Sequence, residues 1–146
     1  MGRKRQENPY CYVDGLEKNK PFAILSNNMA LSGVYQNLSL NAKYVLIVCK
    51  LCRQYHQKAD AKINNNPLYF YFNRKLQNLY GLKNPNKTRA AMCELIENGF
   101  LDVVENNAIH KTKNIYAFSG KWRLKENKGQ IELSDAAETF LRQRKT

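Results

Sequence analysis

The 146-residue sequence predicts an α+β fold, mostly α-helical, with an N-terminal extension and a C-terminal helix. Three observations carry that prediction. Apolar residues recur at helical spacing in segments bounded by Ser, Asn, Pro and Gly. The period then changes to that of strands at 100–104 and 115–118. Positive charge collects around these segments instead of spreading evenly along the chain.

Residues 1–37 read as an N-terminal arm and covering segment. Arg3-Lys4-Arg5 is either an arm that touches phosphate or a minor groove, or a solvated terminus. Phe22-Ala23-Ile24-Leu25 is expected as a short strand, and 29–34 as a helical turn. Ser39 is suited to cap the next helix, along which Leu40, Tyr44, Ile47, Val48, Leu51 and Tyr55 form a stripe. Val45, Leu46, Cys49 and Cys52 add a second apolar side. So much apolar circumference needs a cover, supplied by the terminal segments or by a second copy of the protein in a homodimer.

Residues 58–66 form a polar connection, and 68–72 a short strand expected to pair with the later ribbon. Its aromatics either enter the core on alternate positions or stack nucleobases. Asn73 caps a short helix in which Leu76, Leu79 and Tyr80 share a face and Gly81 marks the stop. Asn84 caps the following helix, with Pro85 at its first position, where a missing N–H costs nothing. Thr88, Ala91, Met92, Leu95 and Ile96 commit one face to the core, and Asn98-Gly99 supplies a left-handed stop. The opposite face begins with Asn86, Lys87, Arg89 and Ala90, with Cys93 one turn further on. Such small, amide-bearing and basic side chains suit contact with a nucleic-acid backbone and base edges. The strands at 100–104 and 115–118 flank a long polar hairpin tip carrying His110, Lys111 and Lys113.

In the last segment, Trp122 between Lys121 and Arg123 either seals the domain or braces phosphate. Ser134-Asp135 opens a final helix through Phe140-Leu141, expected to dock on the first main helix or to support self-association.

This central run resembles the winged helix-turn-helix DNA-binding proteins of bacterial plasmids, phages and conjugative elements. The resemblance lies in the leucine-rich helix 76–80, the Gly81-Leu82 turn, the polar and basic opening Asn86 to Arg89, and Leu95-Ile96-Glu97-Asn98-Gly99-Phe100 leading into the hairpin. The turn Lys83-Asn84-Pro85-Asn86 is about one residue longer than the family's usual form. The similarity covers roughly 38–118 and implies a winged domain over 38–120, flanked by the segment 1–37 and a C-terminal extension over 121–146. It implies double-stranded DNA as partner, with Asn86, Lys87, Arg89, Ala90 and Cys93 at a major groove. Arg74 and Lys75 would hold phosphates, and His110, Lys111 and Lys113 would reach the neighbouring groove or backbone. It further implies a mobile element as the setting, with replication initiation, transfer-origin binding or transcriptional control as the role and replication or relaxosome proteins as further partners. An RNA-binding winged helix, or a protein-interaction module using the basic face, is the alternative.

Charge supports a polyanionic partner. Lys and Arg total 24 against 12 acidic residues, for a net charge of +12. Residues 39–93 carry ten basic and one acidic residue, 94–105 carry four acidic and none basic, and 106–125 carry five basic and none acidic. A lysine-rich coding bias alone would not segregate charge in this way.

Other chemistry has little to work with. No glycine-rich phosphate loop is present, and the chain is too short for a core plus a nucleotide-hydrolysing module. Cys49, Cys52 and His56 share a helix face, but the C-x-x-C lies mid-helix on an apolar segment, so buried structural cysteines are expected in place of a metal or redox site. Glu94, Glu97, Asp102 and Glu105 read as a solvated acidic face. The sequence therefore predicts no enzyme activity, cofactor or metal. With no secretory signal and no long apolar run, it predicts a cytoplasmic protein without a membrane partner.

Overall fold

A computed structural model describes residues 9–17, 20–53, 66–106 and 114–143. Its elements are α1 (Pro9–Val13), α2 (Asn27–Leu31), α3 (Gly33–Gln36), α4 (Leu40–Cys52), β1 (Tyr69–Phe70), α5 (Arg74–Leu79), α6 (Pro85–Glu97), β2 (Leu101–Glu105), β3 (Ile115–Phe118), α7 (Trp122–Glu126) and α8 (Asp135–Arg142). The fold is α+β, and the strands form one antiparallel sheet in the order β1-β3-β2. Arg3-Lys4-Arg5, Tyr55, His56 and the hairpin-tip residues His110, Lys111 and Lys113 lie outside the described residues.

Helix starts follow local side-chain chemistry. The side chains of Ser39, Asn73, Asn84 and Ser134 each accept a hydrogen bond from a first-turn backbone N–H of α4, α5, α6 and α8 respectively. Ser26 and Ser32 cap α2 and α3 in the same manner. The chain leaves α5 and α6 through Gly81 and Gly99, at φ +80 and +82.

The central pair is α4 against α6. On α6 the expected residues Thr88, Ala91, Met92, Leu95 and Ile96 are buried. On α4 the buried set is Ala42, Val45, Leu46, Val48, Cys49 and Cys52, whereas Leu40 is 83% exposed and Tyr44 44% exposed. Of the stripe expected from the sequence, Val48 is buried and Ile47 and Leu51 are half-buried, whereas the second side, Val45, Leu46, Cys49 and Cys52, is wholly inside. Small side chains at 42, 49 and 52 on that side permit close approach of α6.

The sheet closes one side of this pair. β1 pairs with β3 through Tyr69↔Ala117 and Phe70↔Tyr116, and β2 pairs with β3 with an irregularity between Val103 and Glu105. Phe70 and Phe72 enter the core on alternate positions, with Phe70 stacked on Phe118 at 4.6 Å. Phe70 and Phe72 thus fill the interior, while Tyr69 and Tyr71 are half-buried.

Both flanking segments share this core: Tyr35 comes from one side, and Trp122, Ala137 and Phe140 from the other. Trp122 is stacked on Phe100 at 5.8 Å, which is the sealing role. Helix α8 docks on β2 and α6, not on the first main helix. Residues 21–26 contain no strand, so the short strand expected at 22–25 is absent, and Phe22 and Ile24 are half or more exposed. Leu79, placed by spacing on the α5 core face, is 64% exposed, since Leu76 and Tyr80 suffice to cover that short helix. Among the described residues no helix is long and apolar enough to cross a membrane.

A carboxylate ties the two flanks together. Glu126 on α7 accepts hydrogen bonds from the backbone N–H groups of Gly33 (3.1 Å) and Val34 (2.9 Å) at the start of α3. These bonds, that from Val34 foremost, hold its carboxyl below the ordinary value of 4.5. A group whose folded pKa is depressed stabilises the fold above its unfolded pKa and loses that contribution as pH falls through the folded value. Glu126→Gln should therefore lower the thermal midpoint at pH 7, and the gap from wild type should shrink below about pH 4.5. Calorimetry of both proteins between pH 7 and 3 checks this; a gap independent of pH would refute it.

Candidate nucleic-acid interface

The surface that α5, the turn and α6 share is built from their N-terminal ends. Asn84 Oδ1 accepts from Asn86 N at 3.1 Å and Lys87 N at 3.2 Å, so the first turn of α6 is held rigidly. Asn86, Lys87 and Ala90, spaced i, i+1 and i+4, are all exposed on one helical face. Asn41 on α4 donates to the Lys87 carbonyl at 3.2 Å and supports this turn from behind. Arg74 and Lys75 are exposed in the first turn of α5, and Lys83 is exposed in the connection. Five of the expected contact residues are thus exposed on neighbouring elements, with Lys83 beside them; Cys93 and Arg89 are placed differently.

Cys93 requires a correction. It is fully buried, so it cannot approach a base in a groove. Helical spacing puts it one turn beyond Ala90, but the sheet and α8 cover that half of α6. Burial of Cys93 beside Tyr116 extends the core further round α6 than the local pattern suggests.

Arg89 is half-buried and lies against α8. Its Nη2 donates to the Phe140 carbonyl and to Gln143 Oε1, each at 3.2 Å, and its guanidinium carbon sits 4.4 Å from the centre of the Phe140 ring. Gln143 Oε1 also accepts from Asn106 at the end of β2, at 3.3 Å. Arg89, Arg74 and Asn86 line one cleft of about 230 Å³ together with Gln77 and Thr88. Sequence reasoning missed Phe140 and Gln143, and no local signal would have found them, since they lie 51 and 54 residues from Arg89.

The acidic run divides differently from the expected solvated face. Glu94 accepts from Ser39 N at 2.7 Å and from Ser39 Oγ at 2.8 Å, fastening α4 to α6. Asp102 accepts from Ser134 Oγ at 2.9 Å and lies 3.6 Å from Lys121 Nζ. Both carboxylates therefore have structural work.

Cys49 and Cys52 are buried, as expected. Burial pushes the Cys49 thiol well up, and that of Cys52 up to about 12, so both stay protonated and poor as nucleophiles or ligands. Among the described residues no group of three His, Cys, Asp or Glu side chains is placed to hold a metal ion.

Comparison of the chain with protein-family models, curated proteins and solved structures returns no match.

Proposed function

We propose that this chain is a winged helix-turn-helix protein that binds double-stranded DNA sequence-specifically, without catalytic activity. In this reading α5 and α6 are the helix-turn-helix, β2 and β3 the wing, and β1 the strand that pairs with it. The single observation that carries it is the capped N-terminal half of α6, which presents Asn86, Lys87 and Ala90 beside Arg74 and Lys75. An exposed amide at the start of a helix can pair with an adenine edge, a small residue admits close approach to a thymine methyl, and flanking cations hold phosphates. The sequence places His110, Lys111 and Lys113 at the tip of the wing. A cytoplasmic role in replication, transfer or transcription of a mobile element follows from the resemblance, with replication or relaxosome proteins as further partners.

Binding of the purified protein to duplex fragments tiling its own genetic neighbourhood, against excess random DNA, tests this. One fragment should survive competition, and its position at a promoter, replication origin or transfer origin selects the role. Uniform loss to competitor would refute sequence-specific recognition. Within that assay, replacing Lys75 and Lys87 by alanine should weaken binding to every duplex and flatten the slope of log affinity against log salt by about two, if each cation neutralises one phosphate. An unchanged slope would remove both residues from the interface.

A further inference from the structure

The cleft between α5 and α6 has a composition that contact with base edges does not require. Its polar lining is Arg74, Gln77, Asn86, Thr88, Arg89 and Tyr116, with no carboxylate among the lining residues. Two guanidinium groups from separate helices therefore line one concavity that no carboxylate among the described residues lines. At about 230 Å³ it falls below the roughly 300–1,000 Å³ of sites that enclose a whole small molecule. It suits one charged group presented on a larger ligand.

Arg89 is prepared for such a group. Both of its hydrogen bonds to α8 leave from Nη2, so the donors on Nε and Nη1 are not used by that helix. Stacking on Phe140 and bonding to Gln143 restrict its rotamers before any ligand arrives, which reduces the entropy lost on binding. A long side chain anchored in this way cannot travel deep into a groove to read a base.

We propose that this cleft seats one phosphate group of a nucleic-acid backbone, gripped by Arg74 and Arg89, with Gln143 positioning Arg89. Given the DNA-binding reading above, on which the choice of strand rests, Arg89 moves from base reading to sequence-independent grip. Sequence preference is then left to Asn86 and Ala90. The C-terminal helix becomes part of the interface without touching DNA itself.

Two measurements on the full-length chain test the assignment. In the first, inorganic phosphate is titrated against chloride at constant ionic strength while the arginine Nε–H resonances are followed by NMR. Those of Arg74 and Arg89 should shift, while Arg53, Arg123 and Arg142 serve as internal controls. Equal response from all arginines would overturn the seat whether or not DNA is bound, whereas a selective response without duplex binding would keep the seat and discard the DNA reading. In the second, Arg89→Gln should weaken binding to all duplexes about tenfold and flatten the salt slope by about 0.9, with the preferred site unchanged. Gln143→Ala keeps the charge, so it should cost about threefold in affinity with the slope unaltered. A changed site preference in Arg89→Gln, or wild-type affinity in Gln143→Ala, would overturn the corresponding role.

Discussion

Replacing Gly99 by alanine is expected to destabilise the protein by about 3–4 kcal/mol, from two separable causes. The first is backbone conformation: at φ +82 an L-residue costs on the order of 1–2 kcal/mol. The second is space, because a Cβ added there would lie 2.5 Å from the backbone nitrogen of Trp122 and 2.7 Å from the carbonyl carbon of Lys121. Neither atom can swing aside, since Trp122 N donates to the Gly99 carbonyl at 3.0 Å and its ring is stacked in the core. Relieving that contact should add about 1–3 kcal/mol. Gly81 is the internal control. Its φ is +80, but a Cβ there would meet nothing within 4 Å, so Gly81→Ala should show the conformational cost alone. Urea unfolding of the two variants gives the comparison, and equal losses would disprove the close approach of α7 to the α6 stop.

Phe140→Ala should cost about 4 kcal/mol, a large share of the roughly 5–15 kcal/mol that holds a typical domain together. The ring is 2% exposed, meets Tyr116 edge-on at 5.8 Å and carries the Arg89 guanidinium on its face. Truncation leaves a cavity between α8 and the sheet and removes the surface on which Arg89 rests. Phe140→Leu separates these effects. It retains most of the apolar volume and should lose about 1–2 kcal/mol, while removing the ring from Arg89. If Phe140→Ala lowers stability by less than about 1 kcal/mol in calorimetry, α8 is not a structural part of the domain.

These two sites divide what can be read locally from what cannot. That α6 ends at Gly99 was legible from Asn98-Gly99, because a left-handed stop is a property of one residue's backbone. That alanine would collide there was not, because Trp122 arrives from 23 positions further along the chain. The final helix was legible from Ser134-Asp135 and its apolar residues, but its partners were not. It settled on β2 and α6 instead of the first main helix, and in doing so took up Arg89.

The candidate site separates along the same line. Asn86, Lys87 and Ala90 are exposed on the face that helical spacing assigns them, and Arg74 and Lys75 open α5 as expected. Cys93 satisfied the same spacing and is buried, because helix periodicity states which residues share a face and not how wide a face the neighbours cover.

By itself the sequence determined the caps of α4, α5, α6 and α8, the stops at Gly81 and Gly99, most of the buried face of α6, two strands read at 100–104 and 115–118 and found at 101–105 and 115–118, and the concentration of positive charge around them. Each of these depends on a residue's own backbone preference or on the period of a short window. Only the tertiary structure decided which side of α4 faces inward, since that helix is apolar on more than one side and α6 selects the side with room for it. It also decided that Glu94 would fasten Ser39 and that Glu126 would cap α3, across separations of 55 and as many as 93 residues. Such bonds carry no local signature, because they arise only when packing brings an unsatisfied helix start beside a carboxylate from a distant part of the chain.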